Sequence, residues 1–412
     1  MMAKVQGTRP ETLTVRLGDC LVGTLTRLND ETIIFAFDPS YESNSQRPIL
    51  SLSFKGEGGA LYNARSRTHT WLSPFFSNLL PEGHLREYLA RKLEINSQRE
   101  FYLLAGLGAD LPGAVVVEQL GEWSSVVKPA PLVDVDRQSS VLRFSLAGVQ
   151  LKFSAILQSK GAFTIPAGGT GGSWIVKLPS ANHLLLPEVE FSMLTFASKI
   201  GIDVPEFKLV PASSIKGLPA EFRATGANSL AVKRFDRTTH GGRVHMEDFA
   251  QVFNIEAKDK YEKAGYAHIA KVLWMEDGEA SFCEFIRRLV FTVAIGNGDM
   301  HLKNWSVLYT DPCKPVLSPA YDFVPTIAYI ENDSLALNLG GTKQFNEVTV
   351  DKFKKLARLA KASERLVTAV VSEAVERIQE TWQEDRLNLG LPIKAQKAIE
   401  KHMAGLVLLN GR

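Results

Sequence analysis

A dense group of polar side chains directly follows an apolar segment, in Gly296-Asn-Gly-Asp-Met-His-Leu-Lys-Asn304. Such a group of polar residues is unlike a hydrophobic core. It is typical of a ligand-binding loop that a rigid scaffold positions. Asp299 and Asn304 have the spacing at which an aspartate takes a proton from an attacking hydroxyl while an asparagine holds Mg²⁺. Asp322, in Tyr-Asp-Phe, is the predicted second metal ligand. These residues indicate phosphoryl transfer, with Asp299 as the general base.

Phosphoryl transfer also needs a cation on the phosphates and a loop whose backbone can approach them. Lys177 stands alone in an apolar strand and is the predicted cation, with a solvent-exposed edge-strand lysine as the alternative. Glu190, on the following predicted helix, is expected to hold Lys177 as an ion pair, and Glu188 is the competing choice. The turn from Ser145 to Lys152 has the small residues that a phosphate-binding loop requires.

Two other motifs favour structural roles. The Gly106-Leu-Gly-Ala-Asp-Leu111 segment lacks the third glycine of a dinucleotide-binding fingerprint and the strand before it, so it is predicted to end a helix. His301 is expected to cap its loop by hydrogen bonds, because no cysteine or second histidine lies nearby to share a metal.

Length, composition and charge limit the classes of protein to which the chain can belong. At 412 residues, 45% hydrophobic and 22% charged, the chain is expected to be globular with more than one domain or lobe. A net charge of +2 does not require nucleic acid or an anionic membrane as a partner. The three cysteines are far apart, the first twelve residues carry no signal-type apolar segment, and no apolar run approaches the roughly 20 residues of a membrane span. A cytoplasmic protein without membrane contact is expected.

The elements that position these residues follow from periodicity. Alternating apolar residues predict strands at 13–17, 21–25, 33–37 and 50–54, forming a small antiparallel sheet. Beyond His240 the pattern is mainly helical, with predicted helices at 246–254, 266–274, 280–294, 352–383 and 393–408. A hairpin is predicted over residues 306–317, which would return Asn304 and Asp322 to the same end.

The predicted fold class is α+β, with a strand-rich first half and a helical second half. The predicted division has an N-terminal subdomain at residues 1–120, a polar linker at 121–140, an ATP-binding region at 141–236 and a helical catalytic lobe at 237–412.

Several motifs occur in a fixed order along nearly all of the chain. They are Phe75-Phe-Ser-Asn-Leu-Leu-Pro-Glu-Gly83, Leu103-Leu-Ala-Gly-Leu-Gly-Ala-Asp-Leu-Pro-Gly-Ala114, Ser145-Leu-Ala-Gly-Val-Gln-Leu-Lys152, Ile175-Val-Lys-Leu-Pro179, Arg234-Phe-Asp-Arg237, Glu247-Asp-Phe-Ala-Gln251, Lys260-Tyr261, Asp299-Met-His-Leu-Lys-Asn304 and Tyr321-Asp322. Together they resemble the HipA-type serine/threonine kinases, the toxins of HipBA-like toxin–antitoxin systems. The resemblance implies a two-lobed protein-kinase-like fold.

The resemblance also implies which residues would bind ATP and Mg²⁺. Residues of the phosphate loop, the strand lysine, the hinge, the catalytic loop and the following Tyr-Asp pair would contact ATP: Ala147, Gly148, Val149, Gln150, Leu151, Lys152, Lys177, Lys233, Arg234, Phe235, His301, Leu302, Lys303, Asn304, Tyr321 and Asp322. Asn304 and Asp322 would hold Mg²⁺. Ser145 falls where the family phosphorylates itself, which ejects the phosphate loop and inactivates the enzyme. The implied targets are aminoacyl-tRNA synthetases, and the implied partner is a small helix-turn-helix antitoxin that binds operator DNA.

Two positions depart from the family pattern. Lys233 stands where an acidic residue often precedes Arg-Phe-Asp, so hinge contacts there must use the backbone, and Leu151 replaces a common glutamate. Two other functions remain open on the sequence. Gly298-Asp-Met-His-Leu-Lys-Asn304 also resembles the loop of small-molecule kinases that act on aminoglycosides or choline, and the chain could instead serve as a non-enzymatic co-repressor of an antitoxin.

Overall fold

Strands with alternating buried residues build the first part of the protein, as seen in a computed structural model that describes residues 11–62, 65–121, 151–158, 162–165, 172–179, 185–218 and 226–411. Leu13, Val15 and Leu17 of one strand are buried while the residues between them are partly exposed, so one face of the sheet covers a core. The elements here are β1 (Glu11–Leu17), β2 (Cys20–Arg27), β3 (Thr32–Phe37), α1 (Pro39–Ser43), β4 (Arg65–His69), α2 (Pro74–Ser77), α3 (Gly83–Lys92), α4 (Glu100–Leu107) and β5 (Val115–Leu120). The antiparallel sheet has the order β4-β3-β2-β1-β5.

A second five-stranded sheet carries the predicted phosphate-binding lysine. Its elements are β6 (Lys152–Leu157), β7 (Phe163–Thr164), β8 (Trp174–Lys177), α5 (Leu186–Lys199), β9 (Phe207–Pro211) and β10 (Asn228–Lys233), with strand order β7-β6-β8-β10-β9. Lys177 pairs with Leu230 on one side and Lys152 on the other, so it lies in a central strand rather than at an edge. Helix α5 packs on this sheet and joins it to the helical part.

Helices and a small three-stranded sheet form the rest of the chain. The elements are β11 (His245–Asp248), α6 (Phe249–Val252), α7 (Tyr266–Glu276), α8 (Glu279–Ile295), β12 (Ser306–Asp311), β13 (Lys314–Leu317), α9 (Val350–Ala360), α10 (Glu364–Asp385), α11 (Ile393–Ala404) and α12 (Val407–Asn410). Helix α8 is buried almost all round and anchors the largest core, together with α5, α7, α9 and α10. The α+β class, with a strand-rich first half and a helical second half, is confirmed.

Four element predictions were wrong in part, and one of these, the helix at 393–408, is two helices, α11 and α12, separated at residues 405 and 406. Residues 50–54 form a short 3₁₀ turn instead of a strand, because the Ser51 hydroxyl and the Leu52 amide bond to Glu247 and not to a neighbouring strand. The helix predicted at 246–254 begins as β11 and turns helical only after Asp248, whose side chain caps α6. The helix predicted at 352–383 is two helices, broken at Lys361, which has a left-handed φ of 59°.

The hairpin prediction over 306–317 is confirmed as β12 and β13, which pair antiparallel. Within the described part of the chain, the helices are all too short or too polar to cross a membrane.

Candidate active site

Gly296, whose backbone is in the left-handed conformation, begins the loop that carries Asp299, the predicted base. Helix α8 ends at Gly296, where φ is 66° and an added Cβ would lie 2.4 Å from Cγ1 of Ile327, so a larger residue would be strained and would clash. Asn297 follows and is fully buried. Its Oδ1 accepts from the Asp299 amide at 3.0 Å, and its Nδ2 donates to the Asp322 carbonyl at 3.2 Å. One amide side chain therefore fixes the base and the predicted metal ligand relative to each other.

Lys177 lies between two carboxylates. Its Nζ donates to Oε1 of Glu190 at 2.5 Å and also to Oδ1 of Asp322. Lys177 and Glu190 are buried, at 7% and 1% exposure, which makes an ordinary surface ion pair impossible here. The competing Glu188 points elsewhere, because its Oε1 accepts from Nδ2 of Asn228 at 2.9 Å. The central strand, helix α5 and the Tyr321-Asp322 segment thus meet at one ammonium group.

The charges of this cluster reinforce one another. Burial alone would raise the pKa of Asp322, but the nearby Lys177 and Lys152 ammonium groups overcome this effect and lower it to about 2. Burial alone would lower the pKa of Lys177, whereas the Asp322 and Glu190 carboxylates raise it above its ordinary value. The lysine is therefore a fixed cation and Asp322 a fixed anion at any physiological pH.

Asp322 adopts an uncommon backbone conformation for a residue other than glycine, with φ at 58°. The segment is held by the preceding Tyr321, whose hydroxyl donates to the Lys303 carbonyl at 3.0 Å and lies 2.5 Å from the Ser306 hydroxyl. Because Asn304 follows Lys303 directly, these bonds bring the two predicted metal ligands to the same end of the hairpin. The Asn304 amide Nδ2 donates to the Asp299 carbonyl at 2.8 Å.

Asp299 lies at the mouth of the site with its side chain 54% exposed. Its Oδ1 accepts from the hydroxyl of Tyr261 at 2.5 Å. Desolvation raises the pKa of Asp299, while the Tyr261 hydrogen bond and the Lys260 charge act in the opposite direction. His301 Nε2 is 3.9 Å from the same oxygen, but burial and the Lys260 charge lower the pKa of His301 to about 3, so this histidine is neutral.

Two other residues of the loop point away from the mouth. Leu302 is fully buried, and its amide donates to the Lys260 carbonyl at 3.3 Å. The Lys303 ammonium pairs with Oε1 of Glu82 at 2.7 Å and donates to the Asn78 carbonyl at 3.2 Å. The Lys260 ammonium pairs with the other oxygen, Oε2 of Glu82, at 2.9 Å. Burial alone would raise the pKa of Glu82, but the two lysines lower it to about 2.

The predicted hinge is fixed by backbone and charge contacts. The Lys233 and Arg234 amides donate to the carbonyls of Glu206 at 2.8 Å and Ser173 at 2.9 Å. The Arg234 guanidinium is buried against Asp236, with Nη2 to Oδ2 at 2.7 Å, so its side chain cannot face a ligand. The Phe235 ring lies 5.9 Å from the Tyr321 ring, which joins the hinge to the Asp322 segment.

Part of the predicted phosphate loop lies outside the described residues: Ser145, Ala147, Gly148, Val149 and Gln150. Leu151 is buried in the core of the second sheet. Lys152, an exposed residue, opens β6 opposite Lys177. Lys152, in the described part of the predicted loop, therefore brings a second basic side chain to the Lys177 cluster.

The available groups fit a nucleotide held with Mg²⁺. Asn304 and Asp322 offer amide and carboxylate oxygens, which Mg²⁺ prefers, and this ion is usually completed by waters and phosphate oxygens. Among the described residues, no group of three or more His, Cys, Asp and Glu side chains could hold a metal without such help. Nδ1 of His301 is buried without a hydrogen-bond partner among those residues, so the site retains a polar atom for a ligand.

Three residues at the site received no role from the sequence: Asn297, Tyr261 and Glu82. Asn297 stands between two glycines in a turn, a pattern that indicates a side chain bonded to nearby backbone. Tyr261 and Glu82 lie in two of the motifs named above. Asp299 is 38 residues from Tyr261 in the chain, and its loop is over 200 residues from Glu82, so nothing in the local sequence indicates either contact. Only the tertiary structure reveals those two contacts.

Comparison with known proteins adds independent information. The model of the HipA-like C-terminal domain matches residues 144–382, and the model of the HipA N-terminal domain matches residues 13–118. A protein of Sinorhizobium fredii named putative kinase Y4dM is 48% identical over 393 residues, covering 95% of this chain and 96% of that protein. The serine/threonine-protein kinase toxin HipA of Shewanella oneidensis is 24% identical over 354 residues, covering 77% of this chain and 76% of that protein.

The fold has also been seen before. A chain in the solved complex of Shewanella oneidensis HipA, HipB and operator DNA superposes with a TM-score of 0.72 at 21% identity, covering 97% of this chain and 96% of that one. The two family models, the extensive identity to the Sinorhizobium protein and the shared fold agree with one another, and this chain belongs to the HipA family.

Proposed function

We propose that this chain is an ATP-dependent serine/threonine protein kinase and the toxin of a type II toxin–antitoxin system. The observation that carries the proposal is the buried Lys177, paired with Glu190 and Asp322 beside the loop of Asp299 and Asn304. A buried cation held by one helix carboxylate, with a second carboxylate poised for a metal, is what phosphate binding and charge neutralisation require. A structural core has no need of this arrangement, because apolar residues of similar size would be at least as stable.

Each residue has a role in the proposed reaction. When bound, ATP with Mg²⁺ supplies the phosphoryl group and the metal charge. Lys177 would hold phosphate oxygens, with Glu190 fixing its position, while Asn304 and Asp322 would hold the metal. Asp299 would accept the proton of the acceptor hydroxyl, and its raised pKa favours that role.

The phosphate loop gives the proposal its regulatory step. We place the autophosphorylated residue at Ser145, seven positions before Lys152 in the chain. A phosphate there would add roughly −2 charge next to the ATP phosphates, and repulsion would make the closed loop unfavourable. The modified chain would then bind ATP poorly and lose activity.

The proposed partners follow from the family. The solved Shewanella complex contains HipA with HipB and operator DNA, which supports a small helix-turn-helix antitoxin as the partner and operator DNA through it. The proposed protein substrate is a translation component such as an aminoacyl-tRNA synthetase, and the proposed location is the cytoplasm. We also propose the domain division 1–120, 121–140, 141–236 and 237–412, since the two matched family models fall on either side of the proposed linker.

The proposal is tested with the purified chain, γ-labelled ATP and Mg²⁺. We expect label on Ser145 of the wild-type chain, located by mass spectrometry, and none on the Asp299→Asn variant. Ser145→Ala should remove self-labelling but keep transfer to a protein substrate. Label on an added aminoglycoside or choline, with none on protein, would instead show a small-molecule kinase. Growth arrest that persists unchanged in Asp299→Asn, without ATP consumption by either form, would show a non-enzymatic co-repressor.

A further inference from the structure

One of the two carboxylate oxygens of the proposed base is already in a hydrogen bond with another side chain. Oδ1 of Asp299 accepts from the Tyr261 hydroxyl at 2.5 Å. A general base must lie within hydrogen-bond distance of the hydroxyl that it deprotonates. The Tyr261 hydroxyl thus takes the place that an acceptor hydroxyl, or a water molecule, would need beside Oδ1 of Asp299.

Tyr261 has a fixed backbone and a comparatively free side chain. Lys343 Nζ donates to its carbonyl at 3.1 Å, and the carbonyl of its neighbour Lys260 accepts from the Leu302 amide at 3.3 Å. The Tyr261 ring meets the His301 ring edge-on with centroids 4.9 Å apart. The residue is nevertheless 37% exposed and lies outside the buried core, so a rotation of the ring into solvent would leave no core cavity.

The phenol is suited to occupy the base without reacting there. Burial and the adjacent Asp299 charge raise the pKa of Tyr261 well above its ordinary value, so the hydroxyl remains a neutral donor over the working pH range. His301 is neutral as well and offers Asp299 no ion pair that would displace the phenol.

We propose that Tyr261 makes the enzyme select a protein hydroxyl over water, by covering Oδ1 of Asp299 until an acceptor side chain displaces it. This inference rests on the proposed kinase function. In the reaction that Tyr261 suppresses, a water oxygen bonds to the γ-phosphorus of ATP and the bond from that phosphorus to the bridging oxygen of ADP breaks. The water proton passes to Asp299, and ADP and inorganic phosphate leave. A bulky acceptor segment docked at the mouth can displace an exposed ring, whereas a single water cannot.

Tyr261→Phe tests the proposal, and Tyr266→Phe is the matched control. Tyr266 also donates its hydroxyl to the same loop, to the Met300 carbonyl at 3.1 Å, but it is buried and does not touch Asp299. Both variants are made in a Ser145→Ala background so that the chain lacks its proposed acceptor serine. Release of inorganic phosphate from ATP with Mg²⁺ is then measured, and thermal melts check that each variant folds.

We expect Tyr261→Phe to raise phosphate release at least about fivefold, because a hydrogen bond to a charged group biases occupancy of the site to this degree. Tyr266→Phe should not raise it. In chains that keep Ser145, label transfer to the chain should rise less than phosphate release does in Tyr261→Phe, because a docked acceptor displaces the phenol whereas a water molecule does not.

Unchanged or reduced phosphate release in a folded Tyr261→Phe variant would overturn the proposal, and a parallel loss of transfer would make Tyr261 a residue that only positions Asp299. An equal rise in Tyr266→Phe would also overturn it, since loop loosening would then explain the effect. These results are distinct from failure of the kinase function, which would appear as a wild-type chain that transfers no label to any protein.

Discussion

At the scale of the single residue, Lys177 balances two carboxylates that would otherwise repel each other. Glu190 reaches it from helix α5 and Asp322 from the segment after the hairpin. Water is nearly excluded from Lys177 and Glu190, so neither charge can be solvated if the other is removed. The cluster therefore holds the sheet, helix α5 and the Asp322 segment together. It also contains the proposed phosphate-binding group.

Lys177→Met should destabilise the protein strongly. The variant keeps the length of the side chain but leaves Glu190 and Asp322 without their cation, which typically costs about 3–5 kcal/mol of the free energy of unfolding. Denaturant unfolding measures this difference. Lys199→Met is the matched control, because Lys199 pairs with Asp385 at an exposed position and its loss should have a far smaller effect. Equal losses of unfolding free energy in Lys177→Met and Lys199→Met would contradict a structural role for the buried cluster.

Asp299→Asn and Asp322→Ala should fail for different reasons. Loss of a general base typically lowers the rate about 10²–10⁴-fold, so Asp299→Asn should transfer slowly while still binding ATP. Asp322→Ala removes a proposed metal ligand and the partner of Lys177, so it should lose Mg²⁺-dependent ATP affinity as well. Calorimetric titration of ATP with Mg²⁺ distinguishes them. Tight ATP binding by Asp322→Ala would exclude a metal-binding role for that residue.

At the scale of the element, the N-terminal sheet module supports the catalytic loop directly. The segment 74–82 reaches across to the second half of the chain, where Glu82 pairs with both Lys260 and Lys303. Its carbonyls at Phe75 and Asn78 accept from Gln251 at 3.0 Å and Lys303 at 3.2 Å. The loop of Asp299 is thus held by a segment that lies more than 200 residues before it in the chain.

Glu82→Gln should slow phosphoryl transfer while leaving ATP affinity close to that of the wild type. The neutral amide would release the lysines on either side of the loop, and a small misplacement of a base can lower the rate about 10²-fold. Glu31→Gln is the control, because Glu31 also bridges two cations, Arg27 and Arg99, within the N-terminal module. Amide exchange of residues 299–304 should rise only in Glu82→Gln. Unaltered exchange and rate would remove Glu82 from the support of this loop.

Local sequence was sufficient for elements whose partners are near in the chain. The strand of Lys177 followed by the helix of Glu190, and the hairpin between Asn304 and Asp322, depend on periodicity and turn residues alone. Residues 50–54 show where this approach fails, since they alternate like a strand but bond to Glu247, almost 200 residues away. Tyr261 and Glu82 were missed for the same physical reason. Their partners are selected by packing of distant segments, which no local pattern encodes.

At the scale of the whole molecule, a buried polar seam joins the two halves. It consists of His245 and Glu247 with residues 50–52 and Tyr309. Glu247 on β11 is fully buried and accepts from the Ser51 hydroxyl at 2.5 Å, the Leu52 amide at 2.9 Å and the Tyr309 hydroxyl at 2.5 Å. Next to it, His245 is hydrogen-bonded to the Leu50 carbonyl at 2.7 Å. Burial raises the pKa of Glu247 to about 7, although these donors oppose the rise.

The contribution of Glu247 to stability should therefore fall as pH rises from about 5 to 8, whereas the buried His245 and His301, with pKa values lowered to about 4 and about 3, contribute in the opposite direction. A carboxyl with a raised pKa in the folded state binds its proton more tightly there, so its contribution is complete below the unfolded pKa near 4.5 and is lost as pH passes about 7. The loss from Glu247 is on the order of 2–3 kcal/mol. Asp248, with its pKa raised to about 6 by burial, acts in the same direction.

Glu247→Gln should remove the contribution of Glu247, so the stability of the variant should rise relative to that of the wild type as pH increases, as measured by thermal or denaturant unfolding between pH 5 and 8. Glu100→Gln is the control, because Glu100 is a buried carboxylate of the N-terminal module that pairs with Arg86 and lies outside the seam. Stability should depend on pH in Glu100→Gln as it does in the wild type. Parallel stability curves for Glu247→Gln and the wild type would show that Glu247 is ionised across the whole range.

Transfer of phosphate from ATP to protein serine or threonine by this chain can be tested on the proteins of a whole cell. Purified wild-type chain and Asp299→Asn are each incubated with a phosphatase-treated cell lysate and ATP carrying ¹⁸O in its γ-phosphate, and modified peptides are identified by mass spectrometry. We expect ¹⁸O-labelled phosphoserine or phosphothreonine in a small set of proteins with the wild type and not with Asp299→Asn. Identical labelled peptides from both chains, or none from either, would contradict this expectation.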